Sequence, residues 1–271
     1  MTSNGAFPTK IMQPRVTRLP VNWGRRLAYI ALALYAMYAT STLEFTWSRL
    51  ISGLPQGARF LSRMWPPNHE PLKLDLMRQG LLESIQIAIL ATFFGILLAL
   101  PLGLLAARNL MPAWVSWTAR IMIALCRSFN TIIVSILFVK AIGFGALAGI
   151  IALIVSALGF ISKLFAEAIE EVNLKQVEAV RATGATFAGV LIMGVLPQVL
   201  ARFAGFSAYQ LDTNLRNSTI VGIVGGGGIG AALFTAYQRF DYDYVLTILI
   251  AIIAIVMLSE FVSAYVRKLF Q

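Results

Sequence analysis

In the run Ile223-Val-Gly-Gly-Gly-Gly-Ile-Gly230, Gly225, Gly227 and Gly230 satisfy the spacing G-x-G-x-x-G. The apolar stretch Thr219 to Val224 precedes them and Asp243 follows at about the distance of a ribose ligand, so on spacing alone they could cradle a dinucleotide. A second set offers different chemistry. Arg127 and Arg216 sit inside apolar runs, with Asn130, Asn214, Asn217, Ser218 and Thr219 nearby in sequence. Guanidinium forks beside amide and hydroxyl donors suit an anion with several acceptor oxygens. A third set, Glu167, Glu170, Glu171, Lys175, Glu178 and Arg181, concentrates charge in an otherwise apolar chain. Catalytic and metal chemistry find no comparable grouping. Cys126 and His69 are the only residues of their types, which excludes an intrachain disulfide and leaves no Cys/His cluster for a metal.

The elements that must carry these residues are membrane helices. Of the 271 residues, 58% are hydrophobic and 13% charged, where soluble domains carry roughly a quarter charged residues. The apolar residues come in blocks of about 20, the length that crosses the hydrocarbon core. Six candidate spans follow: Leu27 to Phe45, Leu81 to Ala106, Trp114 to Ala141, Ala146 to Phe165, Leu196 to Val224 and Tyr244 to Val266. The expected fold is an all-α polytopic membrane protein. The third and fifth spans are long enough to be tilted or broken, and both carry charge. The formal net charge of +10 comes from basic residues scattered singly between apolar blocks, with no continuous basic face for nucleic acid; anionic lipid and topology account for them.

Lys10, Arg15, Arg18, Arg25 and Arg26 precede the first span without an acidic residue. The positive-inside rule therefore places a tail, residues 1–25, in the cytoplasm, and six spans return the C-terminus to that side. Arg49, Arg59, Arg63, Lys73 and Arg78 in the first external loop, about 48–79, run against the rule. Arg49, Arg59 and Arg63 alternate with Leu61, Met64 and Trp65, as in a helix lying on a membrane surface. Within this frame the glycine fingerprint has no parallel sheet to belong to, and no G-K-[ST] follows it, so neither a Rossmann site nor a P-loop is expected. The glycines read instead as a flexible break at the outer end of the fifth span, an external segment of about 222–243.

The internal loop, about 166–197, has its own local signals. Asn173 followed by Gln176 matches a capping box, and Gly184 suits the residue after a helix C-terminus. A short helix, a glycine turn, a second helix from Thr186 and a stop near Pro197 are expected, with Ala179, Ala182 and Ala185 exposed to a partner. Glu178-Ala179-Val180, then Gly184, then Leu196-Pro197 resembles the EAA loop of ABC importer permeases, E-A-A-x3-G-x9-I-x-L-P, with Val180 and Gly194 departing from it. The stretch Thr219 to Gly230 resembles a segment shared by phosphonate and methionine importer permeases. Gly53 to Asn68, Arg127-Ser-Phe-Asn-Thr131 and Phe240-Asp-Tyr-Asp-Tyr244 look like phosphonate permeases, and the resemblance runs from about Leu50 to Lys268.

That resemblance implies a permease subunit in a bacterial inner membrane, with a coupling helix seated in a groove of a separate ATPase. Glu178, Ala179, Gly184, Leu196 and Pro197 would serve that coupling, and Gly225, Gly226, Gly227, Gly228 and Gly230 an external gate. Two ATP-binding subunits, an extracytoplasmic binding protein and a second copy of the chain are the implied partners. ATP and magnesium would be bound by the ATPases, and no cofactor by this chain. Phosphonates or phosphate would give Arg127, Asn130, Asn214, Arg216, Asn217 and Ser218 a substrate path. The competing reading pairs Arg216 with Asp212, one helical turn earlier, and lets Arg127 reach an interface. An importer for methionine or another small solute, an ATP-independent transporter and a membrane enzyme are the remaining alternatives.

Overall fold

The computed structural model describes residues 23–43 and 47–270. The expected tail, including Lys10, Arg15 and Arg18, lies almost wholly outside these residues, as does Glu44. Among the described residues there are helices and connections but no strand. In chain order the helices are α1 (Trp23–Thr42), α2 (Trp47–Met64), α3 (Pro71–Ala106), α4 (Ala113–Ser128), α5 (Thr131–Ile142) and α6 (Ala146–Glu170). Then come α7 (Leu174–Ala182), α8 (Phe187–Val190), a π-turn (Leu191–Val195), α9 (Leu196–Ile223), α10 (Ile229–Gln238) and α11 (Tyr242–Phe270). The chain divides into two compact units between Arg59 and Phe60.

In the first unit α1 occupies the place expected for the first span, and none of its residues is buried. Arg25, Arg26 and its terminal Thr40-Ser41-Thr42 keep it outside the group of helices long and apolar enough to cross a membrane. That group holds four helices, with a fifth when α4 and α5 are counted as one broken span.

The second unit is built on α3 and α6. Their facing surfaces are rich in small buried residues, including Ala91, Gly95 and Ala99 of α3 and Ala157 and Ser162 of α6. A Cβ added at Gly95 would stand 2.6 Å from the Ala157 Cβ, and one at Gly103 would stand 2.8 Å from Phe165 Cδ1. Lipid tails are as apolar as leucine, so helices in a bilayer gain most from such close backbone approach. Gly95 and Gly103 thus serve the close packing of α3 on α6.

Three expected boundaries move. The second span starts not at Leu81 but at Pro71, so part of the supposed first external loop is helix. Proline suits this first helical position, where its missing N–H costs no hydrogen bond. Polar turns joined by Asp75–Arg78 and Gln79–Asp75 contacts continue it, and hydropathy alone does not register them. The third span breaks at Phe129-Asn130, where α4 and α5 meet at 87°. Asn130 caps α5 by accepting from Ile132 N at 2.9 Å, a side-chain bond that favours starting a new helix there. The fifth span runs from Phe187 to Ile223, so Pro197 is no stop. The π-turn widens the helix ahead of it, and the proline stands in the first turn of α9, where its missing donor is tolerated.

The expected loop helix is present as α7. Asn173 caps it, although its side chain accepts from Lys175 N at 3.0 Å rather than from the residue after. Gly184 takes φ +78 just beyond the end, as a C-terminal glycine should. Thr186 caps α8 through Gly189 N.

Candidate coupling knob and polar path

Two ends of the bundle matter. At one end α7 forms a knob. Its inward residue Val177 joins Phe165, Ile169, Val172, Val190, Val195 and Val199 in one buried cluster, so the knob is anchored by hydrophobic burial. Its outward face carries Lys175, Gln176, Glu178, Ala179, Arg181 and Ala182, all exposed, with Gly184 exposed at the turn and Ala185 half-buried. Leu196 and Pro197 are exposed on the first turn of α9 rather than on α7.

Val180 and Gly194, the two departures from the EAA pattern, meet each other. A Cβ on Gly194 would lie 3.4 Å from Val177 Cα and 3.7 Å from Val180 Cγ2. The larger residue on α7 and the missing side chain on the π-turn are thus a volume exchange within one contact, not two independent losses.

Polar ties stiffen the same end. Gln198 accepts from Asn173 N at 2.9 Å and donates to Gly194 O at 2.6 Å, binding the start of α7 to the π-turn. Glu170 accepts from Arg108 N and from Arg120 Nη2, both at 2.7 Å, while Asn109 donates to Ile169 O. Glu171 pairs with Arg202. Sequence reading passed over Asn109 and took Glu170 only as part of the loop's charge, since nothing local marks a partner 60 or 62 residues away.

The opposite end carries the glycines, and they are not a loose break. Gly225, Gly227 and Gly228 adopt φ of +100, +81 and +76, which fold α9 back into α10. Gly226, Gly228 and Gly230 are buried, and Gly225 and Gly227 half-buried. Gly145 N donates to Gly225 O at 3.0 Å, and Ile229 N to Ser84 Oγ at 2.9 Å. A Cβ on Gly227 would meet Glu83 Oε1 at 2.7 Å and Ala146 N at 2.9 Å. Flexibility was expected from glycine's wide conformational range. The same missing side chain permits close backbone packing, and packing prevails here.

The row of polar candidates separates. Asn130 and Asn217 line one cavity of about 260 Å³ with Phe129, Thr131, Ile132, Ile220 and Val221. The Asn130 side-chain oxygen is used as the α5 cap, so what this cavity-lining residue can still offer a ligand is its amide donors. Arg216 lies one helical turn before Ile220 on α9 but is not among the residues lining that cavity. It pairs with Asp212 at 3.1 Å, as the competing reading has it, yet its side chain keeps 56% exposure against 11% for Asp212. Asp212 also accepts from Ser259 at 3.0 Å.

Asn214 and Ser218 do not line this path. Asn214 is fully buried, donates to Thr92 Oγ1 at 2.9 Å and accepts from Gln210 at 2.9 Å, tying α9 to α3. Ser218 is equally buried and donates to Leu215 O. Both lie on the packed side of α9, a distinction the sequence spacing blurs because adjacent residues on a helix point about 100° apart. Arg127 opens onto a different cavity, with Arg120 and Lys163.

Comparison with known proteins accords with this geometry. The family model described as "Binding-protein-dependent transport system inner membrane component" matches residues 99–271. The chain is 39% identical over 208 residues to the phosphate-import permease protein PhnE of Mycolicibacterium smegmatis, covering 76% of this chain but only 39% of that one. It is 35% identical over 271 residues to the phosphite transport system permease protein PtxC of Stutzerimonas stutzeri, covering 98% of this chain and 97% of that one. Among solved structures, an inward-facing MetNI methionine ABC transporter matches with a TM-score of 0.68 at 26% identity, over 75% of this chain and all of that one. The matched region, well over half of the chain, and the relative covered along nearly its whole length place this multi-pass chain in the family of binding-protein-dependent transport system inner membrane components.

Proposed function

We propose that the chain is the permease subunit of an ABC importer for phosphorus oxyanions, phosphonate, phosphite or phosphate, delivered by an external binding protein. The relatives named for phosphate import and phosphite transport support that substrate class. The observation that carries the reading is the cavity lined by Asn130, Thr131 and Asn217 in a largely apolar bundle, with the exposed Arg216 adjacent to Asn217 in the chain. Amide donors and a guanidinium already balanced by Asp212 hold an oxyanion weakly, and a transport path must release what it binds.

In this reading the knob end faces the cytoplasm, as do both termini, with α1 as the first of six spans. The outward face of α7 seats in an ATPase subunit, and Glu178 makes a charged contact there. Gly184 permits the turn that presents the knob. A second copy of the chain completes the path, two ATPases bind ATP and magnesium, and this chain itself catalyses no reaction. Because Val177 locks α7 to the ends of α6 and α9, movement of the ATPases tilts those helices as one body. The glycine turn, packed on Ser84 and Glu83 of α3, is the external gate that opens when α3 and α9 part.

The test is reconstitution of the chain with its cognate ATPase and binding protein in liposomes. Uptake and stimulated ATP hydrolysis with phosphite, phosphate or methylphosphonate, and none with methionine, is the expected result. Stimulation by methionine alone would overturn the substrate class, and uptake without ATP would overturn the coupling.

A further inference from the structure

Arg120, Arg127 and Lys163 line a cavity of about 160 Å³ together with Ala106, Ile123, Ala124 and Ala166, between α3, α4 and α6. That volume holds about five waters, or one tetrahedral oxyanion with a little water. We propose that this cavity is a second oxyanion site, on the knob side of the α4–α5 break and separate from the Asn130–Asn217 cavity. Its ligand is a phosphate-type group carried either by an anionic phospholipid or by a free phosphorus oxyanion.

The charge balance is the first reason. Arg120 is matched by Glu170 at 2.7 Å and Lys163 by Glu167 at 3.5 Å, whereas no carboxylate lies within ion-pair distance of Arg127 among the described residues. The cavity is thus left with the surplus positive charge of Arg127. Gly159, against which Arg127 packs, is about eleven residues from the end of α6, or ~16 Å along the helix, deep enough for an unmatched cation to be costly. A bound anion removes that cost.

Donor capacity is the second. Arg120 uses Nε on Ala106 O and Nη2 on Glu170, which fixes its guanidinium plane at the cavity wall and leaves the Nη1 donors available to a ligand. The Lys163–Glu167 contact is long and about half exposed, so the ammonium can swing to a ligand at little cost.

Shape is the third. Gly159 has no side chain where a Cβ would stand 2.8 Å from Arg127 Cγ and 3.0 Å from Cys126 Cβ. The arginine stem therefore lies in a slot cut for it, and Ala106, Ala124 and Ala166 keep the space before the cations clear. An arginine that merely reached for water would need neither feature.

This inference stands on the cations alone and does not depend on which solute is transported. The full complex is placed in nanodiscs of phosphatidylcholine, with or without phosphatidylglycerol. Bound lipid is read by native mass spectrometry and inorganic phosphate by equilibrium binding, for wild type and for R127Q/K163Q. Roughly tenfold weaker retention of phosphatidylglycerol, with phosphatidylcholine unchanged, identifies a lipid headgroup. Roughly tenfold weaker phosphate binding in phosphatidylcholine discs identifies a free oxyanion. Should the variant fail to assemble, wild-type protein gives the same reading through the rate of Lys163 acylation. Either phosphate or phosphatidylglycerol then slows that reaction severalfold. Binding unchanged in the variant, or acylation indifferent to both anions, overturns the site, whereas loss of oxyanion uptake by itself bears only on the proposed transport function.

Discussion

Val180 and Gly194 show how two single-residue departures from a family pattern become one structural fact. Separately each looks like a lost motif position, and together they trade volume across the contact of α7 with the π-turn. Gly194→Ile alone should overpack that contact and destabilise the complex by about 1–3 kcal/mol. Combining it with Val180→Ala should recover part of the loss, because the two side chains share a space. A thermal-inactivation double-mutant cycle on the assembled complex checks this, and strict additivity would mean that the residues act independently. At Arg216 the competing ideas also separate cleanly. Asp212 keeps Ser259 as a partner when the guanidinium is removed, so Arg216→Ala should assemble normally and lose transport severalfold. Recovery of uptake without the arginine would leave it a purely structural partner of Asp212.

At the level of elements, the knob and the glycine turn are opposite uses of short connections. The knob projects a polar face from a buried valine anchor. Glu178→Arg, on that exposed face, should leave folding and ligand capture by the binding protein intact while abolishing stimulated ATP hydrolysis, as read from turnover in liposomes. The glycine turn is sunk among three helices, and its residues are set by φ as much as by space. Gly227→Ala would adopt a strained φ and bring its Cβ within 2.7 Å of Glu83 Oε1. Strain of about 1–3 kcal/mol, with the clash in addition, should lower the melting temperature of the complex by several degrees. A loose linker would tolerate alanine there without change. The helix caps were legible beforehand because a cap is local: Asn173, Gly184 and Thr186 lie next to the backbone they serve. Pro197 was misleading for the complementary reason, since whether a proline ends a helix depends on what precedes it, and the π-turn supplies the room.

For the whole molecule, stability rests on the small-residue seam between α3 and α6. Gly95→Leu should therefore be far more damaging than a substitution of the same size on the lipid side. Its first added carbon already falls 2.6 Å from Ala157 Cβ. Loss of the intact complex on size-exclusion chromatography, compared with an unaffected Ile89→Phe control on the exposed side of α3, is the expected outcome.

By itself the sequence determined the membrane class, the places of the apolar blocks, the caps of α7 and the residues of its outward face. Each of these follows from hydropathy or from interactions spanning a few residues of chain. Only the tertiary structure decided that the α4–α5 span breaks, that the glycine turn is packed, and that Asn214 and Ser218 face inward while Asn130 and Asn217 share a cavity. It alone set Arg127 beside Arg120 and Lys163. Those outcomes depend on which side of each helix meets its neighbour, and that is settled by close packing among residues distant in the chain, where a missing Cβ on one helix makes room for a side chain on another.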